Sequence, residues 1–221
     1  MIKINDNTIL KATELFTKYA GGDIVYMDCV NCINKIEDLT KIKDEEVIKI
    51  IDFLVEWKCR GLVGSSSLDI QKMSRQLEDM KKTLRSLNNE FKKLKLKGYT
   101  LKDVPLENEN IKKTILTIYK DIDSIKQIGP TAASKIMHII NPRLFIMWDE
   151  AIRSDKRGYG YGRGTADQYV EFMKKMQSIA ITLKTNWEEK EIEIVIKKRR
   201  TLTKLMDEVN YMGITRNIKI E

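Results

Sequence analysis

The sequence predicts an all-α fold. Apolar residues recur at spacings of three and four along nearly the whole chain, as on the buried stripe of a helix. Only three prolines and eleven glycines stand among 221 residues, too few for a turn-rich all-β chain or a collagenous one. Apolar residues make up 42%, which suffices for a sizeable core and excludes a disordered chain.

Each element follows from local signals. Asn7 or Thr8 is expected to cap a first helix on whose face Leu10, Leu15, Phe16 and Tyr19 lie, with Gly21-Gly22 as its stop. A second helix starts at Asp23 and carries Ile24, Met27, Val30 and Ile33. A third runs from about Asp44 to Trp57, with Val47, Ile51, Leu54 and Val55 on one stripe. The stretch Lys58 to Ser67 is polar, small and basic, and forms the first break. One long helix is expected from Leu68 to about Leu96, on Ile70, Met73, Leu77, Met80, Leu84 and Leu87, with Gly98 ending it. After the loop at Pro105 come helices over about Asn108 to Lys120, Asp121 to Gln127 and Pro130 to Ile140. Asn141-Pro142 turns the chain, Asp149 opens a short helix, and Arg157 to Gly164 is a Gly/Tyr/Arg loop. Thr165 to Met212 fits two further helices, although Glu191 to Ile196 alternates like a strand. Ten methionines, among them Met73, Met80, Met173 and Met176, sit at helical spacings and read as core.

Lys and Arg number 40 against 32 Asp and Glu, giving a formal net charge of +8. The cations Lys92, Lys93, Lys95 and Lys97 crowd together, and Lys197, Lys198, Arg199 and Arg200 form a second run; both are plausible phosphate-facing patches. Neither run borders an amphipathic anchor, so nucleic acid is favoured over a membrane. The N-terminal stretch lacks the pattern of a secretory signal, and no segment approaches the roughly twenty apolar residues of a membrane span. A soluble, cytoplasmic protein is expected. Cys29, Cys32 and Cys59 make an odd count, which disfavours a disulfide framework. Cys29 and Cys32 have zinc-ligand spacing, but His138 is the only distant nitrogen candidate, so reduced, packed thiols and no metal are expected.

The segment Ile125 to Ile136 carries the most information. Gly129 is expected to take a positive φ at the end of a tight turn, and Pro130 presets the first helical position, where its missing N–H costs nothing. The helix N-terminus thereby exposed offers unpaired amides and a positive dipole end to an anion such as a phosphodiester. Ala132 and Ala133 allow close helix approach, and Ile128, Ile136 and Ile139 supply a packed face. The same Gly-Pro step also serves as a plain joint between two core helices, and spacing alone accommodates both uses.

These residues resemble the helix-hairpin-helix of DNA-binding proteins. Ile128, Gly129 and Ala133 match its pattern, and Gln127 replaces the usual first glycine. Asp149, twenty residues after Gly129 and preceded by Leu144-Phe145-Ile146-Met147-Trp148, stands where the helix-hairpin-helix DNA glycosylases, the superfamily of endonuclease III and the adenine-mismatch glycosylase, place a catalytic aspartate. Ala151-Ile152-Arg153 is similar to the helix turn behind it, so the similarity covers Ile125 to Arg153. It implies one two-lobed helical domain over residues 1–221, with the hairpin at 121–141 and the aspartate segment with its Gly/Tyr loop at 142–164. Thr131 stands where bifunctional members carry lysine, and no cysteine follows Cys59 where cluster-bearing members hold four, so neither lyase activity nor an iron–sulfur cluster is implied.

The resemblance therefore implies a monofunctional glycosylase that needs no cofactor, acts as a monomer on double-stranded DNA and leaves an abasic site. Base loss develops positive charge on the sugar, and a carboxylate in a shielded site stabilises it and orients water. Asp149 takes that role, and it also suits a helix N-cap. Gln127, Gly129, Thr131, Ser134, Lys135 and Arg153 would hold DNA, with the hairpin from Gln127 to Lys135 as the phosphate grip. A flipped base would meet Trp57, Arg60, Ser65 and Ser66 from one break and Trp148 near the other, where Tyr159, Tyr161 and Arg163 would meet the base too or hold DNA. Each also has a plain structural use: Trp57 finishes a core stripe, and His138 packs among isoleucines. The polar loops suggest, as one substrate, the glucosylated hydroxymethylcytosine of phage DNA, removed in antiviral defence. The competing expectation is a non-catalytic helix-hairpin-helix module that binds the DNA backbone. A weaker third is an RNA-binding or structural helical protein.

Overall fold

Helices form all the regular structure of the computed structural model, which describes residues 2–19, 24–185, 187 and 200–220; no strand occurs among them. Two units divide the chain. One comprises Met1–Asp23, Tyr99–Val104 and Pro142–Glu221, the other Ile24–Gly98 and Pro105–Asn141.

The second unit carries α2 (Ile24–Ile33), α3 (Asp44–Glu56), α4 (Ile70–Ser86), α5 (Asn88–Leu96), α6 (Glu109–Asp123) and α7 (Pro130–Ile140). In α2 the buried face is Tyr26, Cys29, Val30 and Ile33, whereas Ile24 is exposed and Met27 half-buried, a rotation from the expected stripe. Three acidic residues, Asp44, Glu45 and Glu46, complement the N-terminal dipole of α3, whose core face is Val47, Ile50, Ile51, Phe53 and Leu54. The long helix expected from Leu68 to Leu96 is two helices. Leu87 leaves helical geometry at ψ 2°, and the Asn88 side chain then accepts the Leu39 N–H at 2.8 Å. The break thus coincides with a tertiary hydrogen bond in a run that holds neither proline nor glycine. Gly98, with φ +65°, ends α5 as expected. Asn108 caps α6 by accepting from the Asn110 and Ile111 amides. This helix continues to Asp123, so the separate helix expected over Asp121 to Gln127 is instead its last turn followed by a tight corner.

The first unit carries α1 (Asp6–Tyr19), α8 (Glu150–Arg153), α9 (Ala166–Thr182), α10 (Leu202–Asn210) and a π-helical turn over Tyr211–Thr215. Asn5, not Asn7 or Thr8, caps α1: its carboxamide accepts the Thr8 N–H while the Thr8 hydroxyl accepts the Asn5 N–H. The buried face is Thr8, Ile9, Ala12, Thr13 and Phe16, so Leu10 and Leu15 are only half-buried and Tyr19 is exposed. Small Ala12 and Thr13 on that face suit the contact with α10. There Lys204 lies 4.1 Å from the centre of the Phe16 ring and 3.1 Å from the Glu208 carboxylate, which Arg200 also pairs. Thr165 and Gln168 form a capping box at the start of α9. Gln177 reaches from α9 to the Leu101 and Val104 carbonyls and ties the 99–104 segment into this unit.

The expected helix stop at Gly21-Gly22, the Asp23 start, the strand-like Glu191 to Ile196 and three cations of the second basic run, Lys197, Lys198 and Arg199, lie outside the described residues. Among the described residues no helix is long and apolar enough to cross a membrane, and no cluster of three His, Cys, Asp or Glu side chains has the makings of a metal site.

Candidate active site

The hairpin corner is built by Gln127 rather than by Gly129. Gln127 adopts the left-handed conformation at φ +72°, the region in which glycine is least strained. Gly129 is extended at φ −124°, ψ −178°, which corrects the positive φ expected there. What its missing side chain provides is access: a Cβ added at Gly129 would meet no atom within 4 Å. Pro130 is the first residue of α7, no side chain caps the helix, and Gly129, Pro130 and Thr131 are all half-exposed. Open backbone at a helix start is the arrangement that receives a phosphate.

The Gln127 carboxamide accepts from Gln76 of α4 at 2.6 Å. Gln76 in turn donates to the Gly61 carbonyl and accepts the Val63 N–H, so one buried side chain fixes the hairpin, α4 and the 58–67 loop together. A groove of about 310 Å³ opens beside this joint, lined by Lys72, Arg75 and Lys126 with Asp69 and Asp79. Lys126 was not singled out in the sequence, yet it is exposed at the corner.

Two expected DNA contacts of the hairpin point elsewhere. Lys135 is 7% exposed; its ammonium donates to the Trp57 carbonyl at 3.0 Å and stands 5.2 Å from the centre of the Trp57 ring. It fastens the end of α3 to α7 instead of meeting solvent. Ser134 is buried and donates to the Thr131 carbonyl. His138 is buried as well, its Nε2 2.8 Å from the Tyr26 hydroxyl.

In the 58–67 loop, both the amide and the hydroxyl of Ser65 donate to the Asp52 carboxylate at 2.7 Å, which makes Ser65 a loop anchor. Gly64 permits this approach, since a Cβ there would come 2.8 Å from the same carboxylate. Arg60 and Ser66 are exposed, and half-buried Trp57 packs against Phe53 with tilted rings whose centres lie 4.9 Å apart. Burial raises the Cys59 thiol above its ordinary pKa despite Lys135 beside it.

In the other unit, residues 144–148 form a buried, non-helical run, held by the Tyr169 hydroxyl donating to the Ile146 carbonyl at 2.8 Å. The run delivers Asp149 to the start of α8. One carboxylate oxygen accepts the Ile152 N–H at 2.8 Å as a helix cap, and the other accepts the Thr215 hydroxyl at 2.6 Å. The side chain is fixed at both oxygens yet Asp149 is half-exposed, and a carboxylate retains further lone pairs for a ligand. Thr215 lies in the π-helical turn and was not anticipated; nothing local in the sequence pairs it with a residue 66 positions earlier.

The aromatic residues behind Asp149 face inward. Trp148 is 0% exposed and packs on Phe172 and Tyr169, each with ring centres 5.2 Å away. Tyr159, 8% exposed, donates to Asn210 at 2.8 Å, and burial raises its pKa. Tyr161 is half-buried with its ring on Phe172. Trp148 and Tyr159 thus present no open ring face for a base, contrary to the expectation for them. Arg153 donates to the Gly162 carbonyl at 2.8 Å and closes the Gly/Tyr loop.

No known protein family, curated protein or solved structure matches this chain.

Proposed function

We propose that the protein is a monofunctional DNA N-glycosylase, in which Asp149 stabilises the cationic sugar formed as an extruded base leaves, and the start of α7 holds a backbone phosphate. The observation that carries this reading is the Asp149 carboxylate: half-exposed, aligned by two donors, and twenty residues after the glycine of an uncapped hairpin helix. A fixed anion suits a transition state that gains positive charge, because it need not reorganise as the bond breaks. Thr131, where a Schiff-base mechanism would place an amine, supports hydrolysis without strand cleavage. The substrate would be a damaged or modified base, with glucosylated hydroxymethylcytosine of phage DNA, and hence antiviral defence, as the specific candidate.

A second reading, a non-catalytic DNA-binding module, is favoured by the service of Asp149 as helix cap. The two separate cleanly. Asn caps helices about as well as Asp, so Asp149→Asn keeps the fold and removes the charge. Duplexes bearing a panel of damaged and naturally modified bases, incubated with protein and then treated with alkali, are expected to reveal abasic sites with the wild type and none with Asp149→Asn, while both bind DNA. Equal activity in both proteins, or none in either across the panel, sinks the enzyme reading.

A further inference from the structure

We propose that the segment from Ser154 to Gly164 is a rigid platform that holds Arg157 and Arg163 against the phosphodiester backbone of the DNA acted on by Asp149. The inference rests on the glycosylase reading above. A glycine-rich stretch ordinarily serves as a flexible arm or as a cradle of free amides around an anion. Here the amides are already engaged. The Tyr159 N–H donates to the Ile152 carbonyl at 2.8 Å, those of Tyr161 and Gly162 to the Arg153 carbonyl at 2.8 and 3.0 Å, and those of Gly158 and Gly160 to the Ser154 carbonyl at 3.1 and 3.2 Å. The Gly164 N–H reaches the Tyr161 carbonyl and the Gln168 side chain. The segment is wound onto the end of α8, whose last carbonyls it satisfies.

The glycines are needed for the winding. Gly160, Gly162 and Gly164 have φ of +80°, +47° and +76°, and a Cβ on Gly158 would stand 1.9 Å from the Ile152 carbonyl oxygen. Tyr159 points inward, and Tyr161 is half-buried with its ring on Phe172. What remains turned to solvent is Lys156, Arg157 and Arg163, against one acid in the segment, Asp155. Cations on a stiff support suit phosphate contacts, which position a duplex without reading its sequence. Because the support is bonded to Ile152 and Arg153, two residues of the helix that Asp149 caps, it is fixed with respect to the acid.

The test is the salt dependence of duplex binding by the full chain. Each phosphate contact contributes about 0.9 to the slope of log affinity against log salt, so Arg157→Ala/Arg163→Ala is expected to flatten it by about 1.8. Arg157→Lys/Arg163→Lys should keep the wild-type slope. Lys11→Ala/Lys18→Ala, which removes the same charge from the exposed side of α1, should also keep it. A wild-type slope in the arginine-to-alanine protein, or an equal flattening in the α1 control, overturns the inference. Either result leaves the comparison of wild type with Asp149→Asn in base release untouched, so the inference and the glycosylase reading fail separately.

Discussion

A helix cap needs one acceptor, and Asp149 supplies it with one oxygen; the Thr215 hydroxyl on the second oxygen does more than capping requires. Removing that hydroxyl deletes a hydrogen bond to a charged group, about 1.5–3 kcal/mol. The bond exists before any substrate arrives, so its loss acts on placement: with the carboxylate held by the Ile152 amide alone, Thr215→Val is expected to slow base release by up to about a hundredfold. Thr215→Ser restores the rate, and duplex affinity is unchanged in both. Single-turnover assays beside binding titrations check this. The helix cap at Asp149 was legible because capping and the apolar run before it are local features. Lys135 shows the opposite. Its place on the hairpin helix was correct, but its ammonium turns to the Trp57 carbonyl, 78 residues away, and no pattern within the helix encodes that direction.

At the scale of elements, α3, α7 and α8 begin where sequence signals put them, since acidic first turns, a proline at the first position and an aspartate cap act within a few residues. The division of α4 from α5 was hidden because no proline or glycine marks it and the bond made there, Leu39 to Asn88, spans 49 residues. The left-handed corner at Gln127 was assigned to Gly129 for a related reason: glycine is the usual bearer of that conformation, whereas here Gln76 compensates through the side chain. The Gly/Tyr loop has its own decisive position. Gly158→Ala forces the new methyl into backbone atoms of α8, and overpacking of that kind costs about 1–3 kcal/mol. A fall in the denaturant midpoint, with DNA affinity weakened in parallel, is expected from urea unfolding and binding curves on the same protein.

The molecule as a whole keeps its net charge of +8 in surface cations, many of them paired locally: Lys92 with Asp38, Lys93 with Glu90 and Lys81 with Asp44 and Glu78. The Lys92 to Lys97 cluster is thus a weaker phosphate patch than its sequence implies, and Arg200 of the second run is buried against Glu208. Cysteines make a different global prediction. Burial, with Cys32 nearby, pushes the Cys29 thiol from 9.0 up to about 12. A thiol whose folded pKa is raised favours unfolding once the unfolded chain can ionise, so Cys29 adds no pH dependence at neutral pH and lowers stability as pH climbs from about 9 toward 12. Cys29→Ala should lessen that decline in urea melts run between neutral and alkaline pH. Another consequence follows from the bond between Thr215 and Asp149, whose partners lie 66 residues apart. Vectorial synthesis delivers the acid long before its second donor, so a nascent chain stalled within α9 holds the carboxylate by a single amide. The carboxylate therefore gains its second donor only late, when the π-helical turn leaves the ribosome and packs on α8.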